Sequence, residues 1–134
     1  MNEGDLARIE AELSVTLPIE YREFHLDGHG SSVDSISLSS DPDFIIERTK
    51  EYREGFVDIP QWPPDSVYLG DEDDACPYVL FCGDGRVLRT DHGYLSMRPL
   101  AEFDSFSAYA DEMRFAFEEL QIERDSKKPW WKFW

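Results

Sequence analysis

Residues 78–90 constrain this chain more than any other stretch. Tyr78-Val79-Leu80-Phe81 and Val87-Leu88-Arg89-Thr90 are two β-prone runs. They flank Cys82-Gly83-Asp84-Gly85-Arg86, whose Asp-Gly pair supplies the backbone freedom a tight reversal needs. Such a pattern dictates an antiparallel hairpin, and a hairpin needs further strands or helices on its apolar face to be stable. Val67-Tyr68-Leu69 is a strand candidate before it, stopped by Gly70. Tyr94-Leu95-Ser96-Met97 is another after it, and Ile36-Ser37-Leu38 a short one upstream. Pro60-Gln61-Trp62-Pro63-Pro64 cannot lie in a central strand and reads as a stiff loop.

Helical periodicity frames these strands. Leu6, Ile9 and Leu13 share one face of a helix over about residues 4–14. Pro18 suits the first turn of a second helix carrying Tyr21 and Phe24, closing at Gly28 or Gly30. Asp41-Pro42-Asp43 caps a third from about 43 to 54, with Phe44, Ile45 and Tyr52. Phe106, Tyr109, Ala110, Met113, Phe117 and Leu120 form the inward stripe of a last helix, about Ser105 to Ile122. The expected fold is α+β: one domain, with an antiparallel or mixed sheet packed against N-terminal and C-terminal helices. The expected core includes Leu13, Tyr21, Phe24, Phe81, Tyr109, Met113 and Phe117. The domain is expected over 1–122, with 123–134 as a basic, Trp-rich tail ending Trp130-Trp131-Lys132-Phe133-Trp134.

Charge then narrows function. The 134 residues carry a net charge of −16. Residues 1–122 hold 27 acidic and 9 basic side chains, or −18, while the tail holds 2 and 4, or +2. Over a Debye length of ~8 Å such a body repels phosphate backbones and anionic bilayers. Nucleic acid and membrane are therefore not expected as partners, and a basic protein is. No apolar run approaches the ~20 residues that span a bilayer, and the acidic N-terminus lacks the regions of a secretory signal. A cytoplasmic location is expected.

Chemistry-bearing patterns in the chain are few. The run Asp71-Glu72-Asp73-Asp74 fails the spacing of a calcium loop, because its sixth and twelfth positions are Cys76 and Cys82. It reads as a solvated loop, and as the point of highest negative potential. His25 and His29 are separated by a helix end, so no shared metal face is expected. His92 beside Asp91 resembles an oriented base, but adjacent residues in a strand or turn point apart. Cys76 and Cys82 sit ~20 Å apart on an extended strand, out of disulfide reach and without metal spacing. No catalytic residues, metal ligands or cofactors are expected.

Residues 5–30 resemble the opening of the SUKH superfamily of bacterial immunity proteins, relatives of a fungal cell-wall-synthesis regulator. The resemblance rests on Ile9 and Leu13, then Leu17-Pro18 with Tyr21 and Phe24, closing on His29-Gly30. Tyr68-Leu69-Gly70, Tyr78 to Phe81, Gly85 with Val87, Asp91-His92, and Ser105-Phe106-Ser107 with Tyr109 extend it to about residue 120. The chain departs from the pattern at Leu13-Ser14, at His29-Gly30 and around Asp74-Ala75-Cys76. The resemblance implies a non-enzymatic role, the neutralisation of a polymorphic toxin by direct binding. An acidic inhibitor suits a nuclease with a basic cleft. The residues expected to meet the toxin are Asp71, Glu72, Asp73, Asp74, Asp84 and Asp91, with Trp62 as an apolar anchor unless it packs in the core. The alternative function is a regulatory scaffold of the same fold that binds cellular proteins. A small hydrolase built around His92 ranks below both.

Overall fold

In the computed structural model, which describes residues 1–27, 38–56, 58–71 and 76–114, the strands form an antiparallel meander. β1 (Ser66–Asp71), β2 (Pro77–Phe81), β3 (Val87–Arg89) and β4 (Ala101–Phe103) lie side by side in chain order. The helices are α1 (Glu3–Leu13), α2 (Ile19–Leu26), α3 (Pro42–Glu54) and α4, whose described part is 106–114. The architecture is α+β, as the sequence predicts.

Local chemistry sets the helix ends. Asn2 accepts from the Asp5 N–H while the Asp5 side chain takes the Asn2 N–H, a reciprocal cap that satisfies two orphan donors of α1. Ser14 then turns left-handed at φ 54° and closes it. Asp41 accepts from the N–H groups of Asp43 and Phe44, and Pro42 fills the first turn of α3, where it costs no hydrogen bond. Arg22 clamps α2 to α1 through Glu3 and Glu10, at 2.6 and 2.7 Å.

The sheet is apolar on both faces, and each face has its own core. Val67, Leu69, Tyr78, Leu80 and Val87 pack with Leu6, Ile9, Leu13, Tyr21, Phe24, Tyr109 and Met113 from the helices. Tyr68, Val79 and Phe81 face the other way and pack with Trp62, flanked by Tyr52, Leu88 and Leu95. Full burial of one such side chain stabilises by roughly 1.5–3 kcal/mol, so the larger cluster dominates. The outer edge of β1 is closed by other parts of the chain. Ser39 N–H donates to Leu69 O at 2.8 Å, Tyr68 N–H donates to Thr49 Oγ1 at 2.9 Å, and Arg53 donates to Ser66 O at 2.7 Å. The other nitrogen of that Arg53 fork reaches Leu13 O at 2.7 Å and so ties the end of α1 to β1.

Three expectations need correction. Gly70 does not stop β1; the register shifts between Tyr68 and Gly70, and the strand continues to Asp71. Tyr94–Met97 is not a strand, since only Tyr94 bridges back to Asp91 across a turn. The fourth strand is Ala101–Phe103, pairing with β3. α2 ends at Leu26 with Asp27 as its cap, and the glycines expected to end it lie outside the described residues. Ile36, Ser37, Phe117, Leu120 and the 123–134 tail lie outside them too, whereas Leu38 is buried.

Candidate functional site

Strand register decides which of the expected partner-facing residues can act together. Asp71 ends β1 opposite Pro77, which begins β2, and Thr90, just past β3, bonds Pro77 O through both its N–H and its hydroxyl. Asp71 and Asp91 therefore sit at the same end of the sheet. Glu72, Asp73 and Asp74, between Asp71 and Cys76 in the sequence, lie outside the described residues. Asp84 does not join them. It lies in the β2–β3 turn, at the opposite end of a strand five residues long, ~16 Å away. There it is held by Arg86 at 2.8 Å, and the hydrogen bonds from Arg86 hold its carboxyl below the usual range.

Trp62 takes the core position among its two sequence readings. Only 3% exposed, it stacks on Tyr52 with centroids 4.2 Å apart, and its indole N–H donates to Gly93 O at 2.9 Å. It supports the Asp71–Asp91 end from beneath and presents no surface to a partner. Tyr68 completes that floor: its hydroxyl donates to Asp71 at 2.7 Å, and its ring stacks over Tyr52 at 6.2 Å. Burial first, then the bond to Asp71, pushes the Tyr68 phenol far above its usual range.

Asp91 and His92 do not point apart, contrary to expectation. His92 has φ 55°, and in that left-handed conformation its Nδ1 comes to 2.5 Å from Asp91 Oδ1. Cys76 is the third member. Its sulfur, a carboxylate oxygen of Asp91 and a ring nitrogen of His92 all lie within 4.8 Å of one another. No short sequence spacing signals this, because the grouping arises from β2 and β3 lying side by side.

Two side chains near His92 in the sequence that could serve as nucleophiles, Thr90 and Cys82, are not poised for it. The Thr90 hydroxyl donates to Pro77 O and accepts from Gly93 N–H. Cys82 lies past the far end of β2, and burial, reinforced by Asp65, pushes its thiol up to about 12. A thiol so protonated is a poor nucleophile near neutral pH.

A second acidic surface carries no recognised motif. Glu20, Glu23 and Asp27 line a groove with Asp111 and Arg114, floored by Phe24 and Phe106. The spacing 20, 23, 27 is a readable signal, since i, i+3 and i+7 share one helical face. Glu20 accepts from Ser107 N–H at 2.9 Å across that groove. Between α1 and α3, Arg8 pairs with Asp43, and Lys50 with Glu12 at 2.7 Å. Among the described residues, no helix is long and apolar enough to cross a membrane.

The model of the SMI1 / KNR4 family (SUKH-1) matches residues 1–113. No curated protein and no solved structure matches the chain.

Proposed function

The chain belongs to the SMI1 / KNR4 family (SUKH-1), and from that premise we propose that it is an immunity protein that binds and neutralises a cognate toxin in the cytoplasm. Family membership over residues 1–113 carries the proposal. The net charge of −16 narrows it to a basic partner, best met by a nuclease whose cleft is built for phosphates. The proposed contact is the end of the sheet bearing Asp71 and Asp91, together with Glu72, Asp73 and Asp74 in the connecting segment. Asp84 and Trp62 drop out, the first by distance and the second by burial. Neutralisation requires no chemistry from this chain, only occlusion.

The test pairs the protein with the toxin encoded beside it. Association should slow as salt rises, because long-range attraction acts before contact forms. Reversing Asp71, Asp73 and Asp74 to Lys should cut the on-rate by about ten-fold or more at low ionic strength and abolish protection of toxin-expressing cells. A folded triple variant that protects fully, with unchanged salt dependence, would move the interface elsewhere. The first place to look would then be the Glu20–Glu23–Asp27 groove. A chromosomal setting with no adjacent toxin gene would instead favour a regulatory scaffold that binds cellular proteins.

A further inference from the structure

We propose that Cys76, Asp91 and His92 form a zinc site at the end of the sheet. The donor set comes first. A thiol, an imidazole and a carboxylate together are ligands suited to zinc; calcium and magnesium take oxygen ligands alone. Their donor atoms already lie within 4.8 Å of one another. A tetrahedral zinc ion with bonds of 2.0–2.3 Å spaces its donors about 3.3–3.6 Å apart, so closing the site takes shifts on the order of 1 Å. Binding exchanges the Cys76 S–H bond for a sulfur–zinc bond and releases that proton to solvent. Three protein ligands leave a fourth position for water. That position is at the surface, because the His92 side chain is 65% exposed while Cys76 is buried behind it.

The scaffold under the three residues is fixed by bonds that an ordinary surface turn does not need. Pro77 O receives both the N–H and the hydroxyl of Thr90, at 3.0 and 2.8 Å, and this locks Cys76 beside Asp91. Gly93 N–H returns to Thr90 Oγ1 at 3.0 Å, Tyr94 N–H to Asp91 O at 3.0 Å, and the buried Trp62 indole holds Gly93 O. Gly93 lets the turn lie directly against the Tyr52 ring, since a Cβ there would meet Tyr52 Cε1 at 2.8 Å. A hydrogen bond accounts for Asp91 and His92 by themselves. It gives no reason for a sulfur at the same point, so Cys76 is the discriminating residue.

Cobalt(II) is the probe, because a cobalt–thiolate bond adds a charge-transfer absorption that oxygen and nitrogen ligands do not. The full chain, kept reduced with a non-thiol reductant, is titrated with cobalt and then challenged with zinc. The expected result is one cobalt per chain with the thiolate band, displaced by one equivalent of zinc. Cys76→Ser should remove the band. Cys76→Ser and His92→Ala should each weaken zinc binding by about 10–100-fold or more, with far-UV circular dichroism unchanged. Cobalt binding without the thiolate band, or zinc affinity unaltered by Cys76→Ser, would overturn the site and assign the ion to carboxylates elsewhere. No binding at all would overturn it as well. Should Cys76→Ser unfold the chain, His92→Ala takes its place: loss of the band with Cys76 intact supports the site, and a band retained at unchanged affinity overturns it.

Discussion

His25 shows what one side chain does to the whole energy balance. It is 1% exposed, wedged between Tyr21 and Phe24 with ring centroids 4.5 and 5.5 Å away, and neither ring nitrogen has a hydrogen-bond partner among the described residues. Burial, helped by the N-terminal ammonium, lowers its pKa from 6.5 to about 4. The unfolded chain therefore takes up a proton at His25 well before the folded chain does. Stability is complete above pH 6.5 and is lost as pH falls from there through 4, by about 3 kcal/mol at 1.36 kcal/mol per unit. Urea unfolding at pH 7, 5.5 and 4 should show this decline, and His25→Phe should flatten most of it. A decline of equal size in that variant would assign the acid sensitivity to carboxylates. The sequence puts His25 on a helix and His92 beside Asp91 in a turn, but only packing reveals one sealed among rings and the other at the surface.

At the scale of elements, the closed edge of β1 rests on a few polar contacts. Tyr68 N–H has Thr49 Oγ1 as its partner, and both residues are buried. Thr49→Val keeps the shape and removes the acceptor, so a buried donor is left unpaired; the expected loss is about 1–3 kcal/mol. Thr49→Ser should recover the part owed to the hydrogen bond, and chemical denaturation of the two variants separates it from packing. The elements themselves were largely legible. The stripe Leu6, Ile9, Leu13, the Asp41 cap and the Asp-Gly hairpin each encode their structure within a dozen residues. β4 was not legible, because Ala101-Glu102-Phe103 has too few residues to show alternation and owes its state to pairing with β3. Gly70 misled for the opposite reason: a strand that changes register tolerates a glycine that a regular one does not. The acidic end was visible as a charge run. The grouping of Cys76 with Asp91 and His92 was not, since the two segments are 15 residues apart and meet only through the register of β2 with β3.

Across the whole molecule, connectivity is sequential: each strand pairs with the next one in the chain, and the helices that cover the larger core come mostly before the sheet. The β2–β3 hairpin closes a loop over residues 82–86, as short as the β1–β2 connection over 72–76, and its Asp-Gly turn favours its register locally. It is expected to be structured in the folding transition state, with φ about 0.5–0.8 for Val79→Ala and Leu80→Ala and lower values for Leu6→Ala and Ile9→Ala in α1. Stopped-flow refolding of those variants checks it, and high φ confined to α1 would reverse the order. The arrangement also matters during synthesis. Leu6, Ile9, Leu13, Tyr21 and Phe24 leave the ribosome before the strands they bury against have been made. At ~5–20 residues per second, the stretch from the start of α3 to the end of β3 takes about 2–10 s to appear. For that interval a nascent chain exposes an apolar helix face with no strand to cover it, and the carboxylates along those same helices set up like-charge repulsion between neighbouring nascent chains.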